Sequence, residues 1–321
     1  MTVANVAVLV IDLNHSIETE QAITAVLKSR SVNITVMLHI NGSGEEHEHR
    51  LIKAFSGNPK VVISRTDKNV GFTGAINILI MKMKEAGIRD QYILLLNNDA
   101  CVAPDTVAKL LSVLASQTDI GAVGPRIMQT GKDSIIAADG ACVWRRLMQQ
   151  SFMNSGKRSQ DCPVLPPFEV PFISGACMLI HTDIFIKLGG FDARFFAYFE
   201  DWDLCLRMRT SGYRCLHVAD AVVWHMGSLT TGTDSLIYHF LMTRNRYLMA
   251  RKHLPLHIFV FLFLPYFMVS RVAYKVIFLL LRKRLQGIKG IMLALAWIMA
   301  PASRKSAFWP ITNTLHPVSG N

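Results

Sequence analysis

Three apolar runs of strand length near the start of the chain break abruptly into short polar residues. Val6 to Ile11 runs into Asp12-Leu13-Asn14, Ile34 to Ile40 into Asn41-Gly42-Ser43, and Tyr92 to Leu96 into Asn97-Asn98-Asp99. Helical patterns at Ile17 to Ser29, Thr73 to Ala86 and Asp105 to Ser116, with a further strand at Val61 to Ser64, alternate with these runs. Such alternation predicts a mostly parallel sheet flanked by crossover helices. Ligands of these sheets sit beyond the carboxyl ends of the strands, so three polar exits predict one shared crevice.

With 321 residues and 51% hydrophobic content, the chain can bury a substantial core. Its formal charge of +11 calls for an anionic partner: nucleic acid, a phosphorylated substrate or an acidic membrane face. The basic residues gather late, from Arg244 to Lys289, interleaved with long apolar runs, which favours a membrane surface and argues against nucleic acid. Six cysteines without a Cys-x-x-Cys pair, several inside apolar stretches, predict buried free thiols. The run Val3 to Ile11 has no basic leader and no small-residue cleavage site, so it reads as a buried strand and not as a signal peptide. A reducing, cytoplasmic setting is expected.

Between Pro125 and Pro171, glycines and a Pro163/Pro166/Pro167 cluster predict a loop-rich insertion over the site. Order returns with a strand over Phe172 to Ile180, a short helix near Asp183 to Leu188 stopped by Gly189-Gly190, and a helix from Glu200 to about Ser211 closed by Gly212. Arg214 to Val218 and Ala221 to His225 read as two strands. Leu236 to Lys252 is a predicted helix, and Leu254 to Ser270 carries no Lys, Arg, Asp or Glu but contains Pro255 and Pro265. A bilayer span needs about 20 apolar residues, so this run is marginal. Arg271, Lys275 and Arg282 share one helical face opposite Val272, Ile277, Phe278 and Leu281. A basic amphipathic helix lying in a membrane interface is the preferred reading, with a spanning helix and a soluble core helix as the alternatives.

Several residues point to chemistry. Asp99, at the mouth of a buried strand, suits a hard divalent cation that bridges phosphate oxygens, or else caps the turn before Pro104. Glu200, Asp201 and Asp203 crowd one helix start, where the dipole accounts for one acid but not three. Residues two apart on a helix point about 200° apart, so Asp201 is assigned to the crevice as general base and Asp203 to a cap or a pair with Arg207. His225 ends a strand-like run and is either a packed imidazole or a ligand. The stretch Asn69-Val70-Gly71-Phe72-Thr73-Gly74-Ala75-Ile76-Asn77 joins strand to helix, so its amides meet a phosphate or sugar unless its glycines serve only tight packing.

Asn69-Val70-Gly71-Phe72, Leu95-Leu96-Asn97-Asn98-Asp99, and Gly189-Gly190-Phe191-Asp192 through Phe199-Glu200-Asp201-Trp202-Asp203-Leu204 to His225 occur in an order that resembles family 2 glycosyltransferases, in their bacterial rhamnosyltransferase-like branch. The resemblance covers roughly residues 3 to 255. It implies a GT-A fold, a nucleotide-diphosphate sugar donor, inversion at the anomeric carbon, a divalent cation (Mg or Mn) on Asp99 and His225, and Asp201 as base. The family's Asp-x-Asp motif maps onto Asn97-Asn98-Asp99, leaving only its last acid. The acid that holds the nucleobase in relatives is replaced by Ile40, and Asp12 is the candidate to compensate. The donor is expected against Asp12, Asn14, Asn41, Asn69, Gly71, Asn77, Asn97 and Asn98, and the acceptor near Gly175, Glu200 and Trp202.

The expected organisation is a glycosyltransferase domain over 1–235, with a donor half to 124 and an acceptor half from 125, followed by a helical membrane-associated region over 236–321. The expected acceptor is a saccharide, lipid-linked, at the cytoplasmic membrane surface, with dTDP-rhamnose as first donor and a UDP-hexose as second. A nucleotidyltransferase would carry a Gly-rich, Arg-containing loop after the first strand, where this chain has Asp12-Leu13-Asn14-His15. An inactive membrane-bound scaffold is the alternative that the replaced acids at Asn97 and Ile40 raise.

Overall fold

The computed structural model describes residues 4–88, 90–227 and 235–301, and the side chain of Asp133 is left aside. Val3, and residues 302–321 of the expected C-terminal region, lie outside the described residues. Two compact units emerge: Met1–Cys142 with Ser151–Asp192 and Glu200–Gly227, and Val143–Gln150 with Ala193–Phe199 and Ser228–Asn321.

The first unit is built on a mixed sheet. Its strands are β1 (Asn5–Asp12), β2 (Asn33–Asn41), β3 (Val61–Thr66), β4 (Tyr92–Leu96), β5 (Ala100–Val102), β6 (Ile120–Gln129), β7 (Lys132–Ala138), β10 (Phe168–Glu169), β11 (Cys177–His181) and β12 (Arg214–His225). A separate two-stranded sheet pairs β8 (Ala141–Trp144) with β9 (Gln149–Phe152). The order across the main sheet is β10-β12-β6-β11-β4-β1-β2-β3. Strands β4, β1, β2 and β3 run parallel, while β11 inserts antiparallel between β4 and β6. Helices α1 (Ser16–Leu27), α2 (Glu45–Phe55), α3 (Gly71–Glu85), α4 (Thr106–Leu114), α5 (Thr182–Lys187) and α6 (Glu200–Thr210) connect and flank these strands. The continuous apolar character of β1, β2 and β4 follows from burial on both faces. Val8, Val36, Leu38, Leu94 and Leu179 are among the side chains that form the core between sheet and helices.

Four expectations change. Helix α2 is absent from the sequence reading: it buries only Leu51 and Phe55, and its first turn carries Glu45, Glu46 and Glu48. The segment from Pro125 to Pro171 is more ordered than its glycines and prolines suggest, because β6 continues through Gly124 and Pro125. Pro125 sits beside the shift in register between β6 and β12 (Val218 opposite Pro125, then Val222 opposite Arg126), where a missing N–H disrupts little. A Cβ on Gly124 would lie 2.1 Å from Ile173 Cγ2, so glycine there serves close packing. The two strands expected after Gly212 are one bulged strand, β12, and the strand expected from Phe172 begins only at Cys177.

The second unit contains α7 (Leu236–His253), α8 (Leu256–Leu281) and α9 (Leu285–Met299). Gly287 and Gly290 let α9 approach α7 closely, since a Cβ on Gly290 would meet the Leu236 carbonyl at 2.3 Å. Phe240, Ala294 and Trp297 fill the contact. Helix α8 runs through Pro265 with π-type turns at Phe259–Phe263 and Met268–Ala273, an adjustment suited to a residue that lacks an amide donor. It is long and apolar enough to cross a membrane, and only 17% of its apolar window is buried, which is unlike a core helix. The expected basic face is partly wrong. Lys275 and Arg282 lie over the ring of Phe278, expected on the opposite face, at 4.8 and 4.3 Å, and Arg271 donates from Nε to Thr243 Oγ1 at 3.2 Å. The six cysteines are free, four of them buried.

Candidate active site

The polar strand exits of the first unit are tied to one another by side chains. Asp12 closes β1, is fully buried, and accepts from Thr19 Oγ1 at 2.7 Å, Ser43 Oγ at 2.5 Å and the His15 amide at 3.3 Å. Asn14, in the left-handed region at φ 59°, accepts the Gly44 amide on Oδ1 at 2.7 Å. Asn41 closes β2, accepts the Val70 amide at 2.9 Å and donates to Asn69 Oδ1 at 3.0 Å, which also takes the Gly71 amide at 2.8 Å. Gly42 has φ +74°, and a Cβ there would stand 2.6 Å from the Asn69 nitrogen, so only glycine fits between these loops. Asn77, on α3, clamps both backbone groups of Phe191, donating at 2.9 Å and accepting at 3.1 Å. Asp12 and Asn77 thus brace these loops through hydrogen bonds to protein.

The β4 exit lies at the centre. The Asn97 amide donates to the Ala176 carbonyl at 3.0 Å, and Asn98 Nδ2 donates to Thr19 Oγ1 at 3.0 Å. Antiparallel pairing of β5 with β12 sets His225 opposite Ala100 and beside Asp99. His225 Nε2 stands 3.0 Å from Asp99 Oδ1, and Asp99 Oδ2 accepts the Gly227 amide at 3.0 Å. Burial raises the Asp99 pKa, but the His225 ring and the Gly227 amide outweigh it and hold the carboxyl below the ordinary value.

Asp201 sits in the first turn of α6. Its Oδ2 accepts the Gly175 amide at 3.0 Å and its Oδ1 the Trp202 amide at 2.7 Å. Burial pushes its pKa up, and these amides only partly offset the rise. Glu200 is buried, its Oε2 has no hydrogen-bond partner among the described residues, and burial followed by the Asp201 charge drives its pKa well up. Asp203 is fully buried and accepts Arg207 Nε at 2.9 Å, the pairing expected for it. Arg207 also donates to the Leu188 and Gly190 carbonyls, joining α6 to the Gly189-Gly190 turn. Trp202, expected near the acceptor, is fully buried and stacks on Phe172 with ring centroids 5.8 Å apart.

One connection was not visible in the sequence. Asp201 is held by Gly175, the next residue's carbonyl holds Asn97, and the Asn97 side-chain amide lies 3.2 Å from His225 Nε2. Thr19, which bridges Asp12 and Asn98, was equally hidden; a hydroxyl one turn into α1 gives no signal of its own.

The donor set fits a divalent cation. One carboxylate and one imidazole are hard and borderline ligands, suited to Mg or Mn that keeps most of its positions for phosphate and water. No group of three or more His, Cys, Asp or Glu side chains able to hold a metal occurs among the described residues, so the protein's share would be two ligands. A carboxylate and an amide both converge on Nε2, and a cation shared by Nε2 and Asp99 would satisfy the carboxylate and the ring together.

A family model described as glycosyltransferase like family 2 matches residues 4–247. The N-acetylglucosaminyl-diphospho-decaprenol L-rhamnosyltransferase of Mycobacterium tuberculosis is 27% identical over 223 residues, covering 63% of this chain and 69% of that protein. The rhamnosyltransferase WbbL of Escherichia coli K12 is 41% identical over 49 residues, 15% of this chain and 19% of its own. Among solved structures, GalNAc-T7 with UDP, GalNAc and Mn2+ superposes with a TM-score of 0.61 at 19% identity over 86% of this chain, which spans 57% of the GalNAc-T7 chain. The mannosyltransferase PcManGT of Pyrobaculum calidifontis, with GDP-Man and Mn2+, gives 0.55 at 14% identity, covering 93% of this chain and 76% of its own. These superpositions speak for the fold. With that GT-A fold and a family match spanning the three polar strand exits and α6, the chain belongs to glycosyltransferase family 2.

Proposed function

We propose that the protein transfers rhamnose from dTDP-rhamnose, or failing that a hexose from a UDP-sugar, to a hydroxyl of a lipid-linked saccharide in bacterial surface polysaccharide assembly. The hydrogen-bonded run from Asp201 through Gly175, Ala176 and Asn97 to His225 and Asp99 carries this reading, because it fixes a candidate base and a candidate cation site on one frame. The two rhamnosyltransferase relatives, one named for a diphospho-decaprenol substrate, support the donor and acceptor classes.

Asp201 takes the proton of the acceptor hydroxyl as that oxygen attacks the anomeric carbon, and a single displacement inverts the stereochemistry. The Gly175 amide fixes the carboxylate, and its elevated pKa suits it to hold a proton. A divalent cation on Asp99 and His225, Mg or Mn, would neutralise the departing nucleoside diphosphate. Asn41, Asn69 and Gly71 shape the loops beside the nucleotide, with Asp12 bracing them from beneath.

Residues 1–235 are assigned to transfer and residues 236–321 to association with the cytoplasmic face of the inner membrane, peripheral or monotopic. Phe261, Val269 and Leu281 on α8 are 81%, 67% and 82% exposed on a helix that also carries Lys275, a composition suited to an anionic lipid interface. The test is a thermal-shift screen with dTDP-, UDP- and GDP-sugars in the presence of Mg or Mn. Stabilisation by dTDP-rhamnose above the others supports the reading, and no stabilisation by any sugar nucleotide contradicts it.

A further inference from the structure

Two half-buried arginines of the C-terminal unit, Arg246 and Arg271, have no carboxylate paired with them among the described residues. Arg271 donates from Nε to Thr243 on α7, and Arg246 lies one turn beyond Thr243, so both guanidinium groups gather on one face of that helix. Arg246 Nε and Arg271 Nη2 are completely covered and have no hydrogen-bond partner among the described residues. The polar groups that bear on them are the phenols of Tyr238 and Tyr266, the latter hydrogen-bonded by Gln149. Burial first, and then the charge of Arg246, lower the Arg271 pKa to about 10, as expected for two cations pressed together.

Covering guanidinium nitrogens without a counter-ion is costly, and an anionic ligand would supply the missing charge. Neighbouring arginines show the contrast. Arg244, fully buried on the same helix, is satisfied by the Arg194 and Phe195 carbonyls and lies against the Phe240 and Trp297 rings. Arg271, moreover, lies within a π-type turn of the apolar helix α8, and π turns frequently mark functional positions. Guanidinium forks match phosphate oxygens in pairs, better than any other side chain.

We infer that Arg246 and Arg271, flanked by Tyr238 and Tyr266, form an anion site for the diphosphate group of a lipid-linked saccharide. The inference rests on the transferase reading for the identity of its ligand. The shared chemistry, a phosphate group on a lipid or free in solution, has three sources that separate probes resolve.

The full-length protein is titrated with farnesyl diphosphate in micelles, with phosphatidylglycerol vesicles and with inorganic pyrophosphate, beside the variants Arg246→Gln, Arg271→Gln and Arg246→Lys. The site predicts that each glutamine variant weakens farnesyl diphosphate binding tenfold or more while vesicle binding changes less than twofold, and that pyrophosphate competes with farnesyl diphosphate on the wild type. Unchanged farnesyl diphosphate affinity, or an equal loss of vesicle binding, overturns it. Should a glutamine variant lose its near-UV circular dichroism, the lysine variant decides: it keeps the charge without the fork, so weaker binding supports the site and wild-type affinity overturns it. A donor thermal shift run in parallel separates the two readings, because a wild type that no sugar nucleotide stabilises contradicts the transferase assignment whatever farnesyl diphosphate does.

Discussion

The Gly175 amide donates to the Asp201 carboxylate at 3.0 Å, and this single bond links the first turn of α6 to the segment that leads into β11. Since the adjacent Ala176 carbonyl receives the Asn97 amide, the acid of one half of the sheet is held on the same frame as the polar exit of the other. The chemistry proposed for Asp201 follows from that frame.

Replacing Asp201 by Asn keeps the shape and removes the base. Turnover is expected to fall by about 10²- to 10⁴-fold with little change in melting temperature. In the wild type the active form is the ionised carboxylate, so activity is lost as pH falls through a pKa raised above the ordinary 3.8. A pH–rate profile flat down to that ordinary value would contradict the burial of this acid.

Glu200 has a different signature. Its folded pKa lies well above 4.5, so the folded state holds a proton that the unfolded chain releases, and stability should decline as pH rises between the two values. Glu200→Gln removes that decline. Urea melts at pH 5 and pH 8 check it: wild type and variant running in parallel would mean that Glu200 titrates normally.

A second buried cluster concerns stability alone. Arg126, 2% exposed, donates twice to Asp139, which also faces His217 at 2.9 Å and accepts Asn154 at 2.9 Å. Burial works to raise the Asp139 pKa, but His217, Arg126 and Asn154 together hold it well below the carboxylate range. The stabilisation is therefore full above the unfolded value of 3.8 and is lost as pH falls below it. Asp139→Asn leaves Arg126 buried without its counter-charge and is expected to cost about 3–5 kcal/mol by chemical denaturation.

Gly42 tests the donor loops. Alanine would take a positive φ and push into the Lys68–Asn69 backbone, at a cost of about 1–3 kcal/mol. Displacement of Asn69 should raise KM for the sugar nucleotide more than it lowers kcat. A loss confined to kcat would place these loops away from the donor.

Much of this was readable in the residues. The Tyr92–Leu96 strand, the split between Asp201 and Asp203, and the glycine stops after α5 and α6 follow from local periodicity and caps, which the packing does not overrule. Pro125 and Gly124 misled for the opposite reason. Their place is set by a register shift against β12 and by the Ile173 side chain, both tertiary facts without a local trace. Helix α2 was missed because two buried residues in eleven leave no apolar stripe. Trp202 reads equally well as a core residue or a contact surface until Phe172 is seen stacked on it.

His225 and Asp99 face each other across strands that the sequence separates widely, and their assignment as cation ligands is the step on which the chemistry turns. Removing either, as Asp99→Asn or His225→Ala, should raise the metal concentration needed for half-maximal activity at least tenfold. Anomalous diffraction from crystals grown with Mn and dTDP measures the site most directly. The account predicts an anomalous peak bonded to both Asp99 and His225, with the nucleotide's phosphates completing its shell; nucleotide bound with the manganese elsewhere, or with no peak between these two residues, would contradict it.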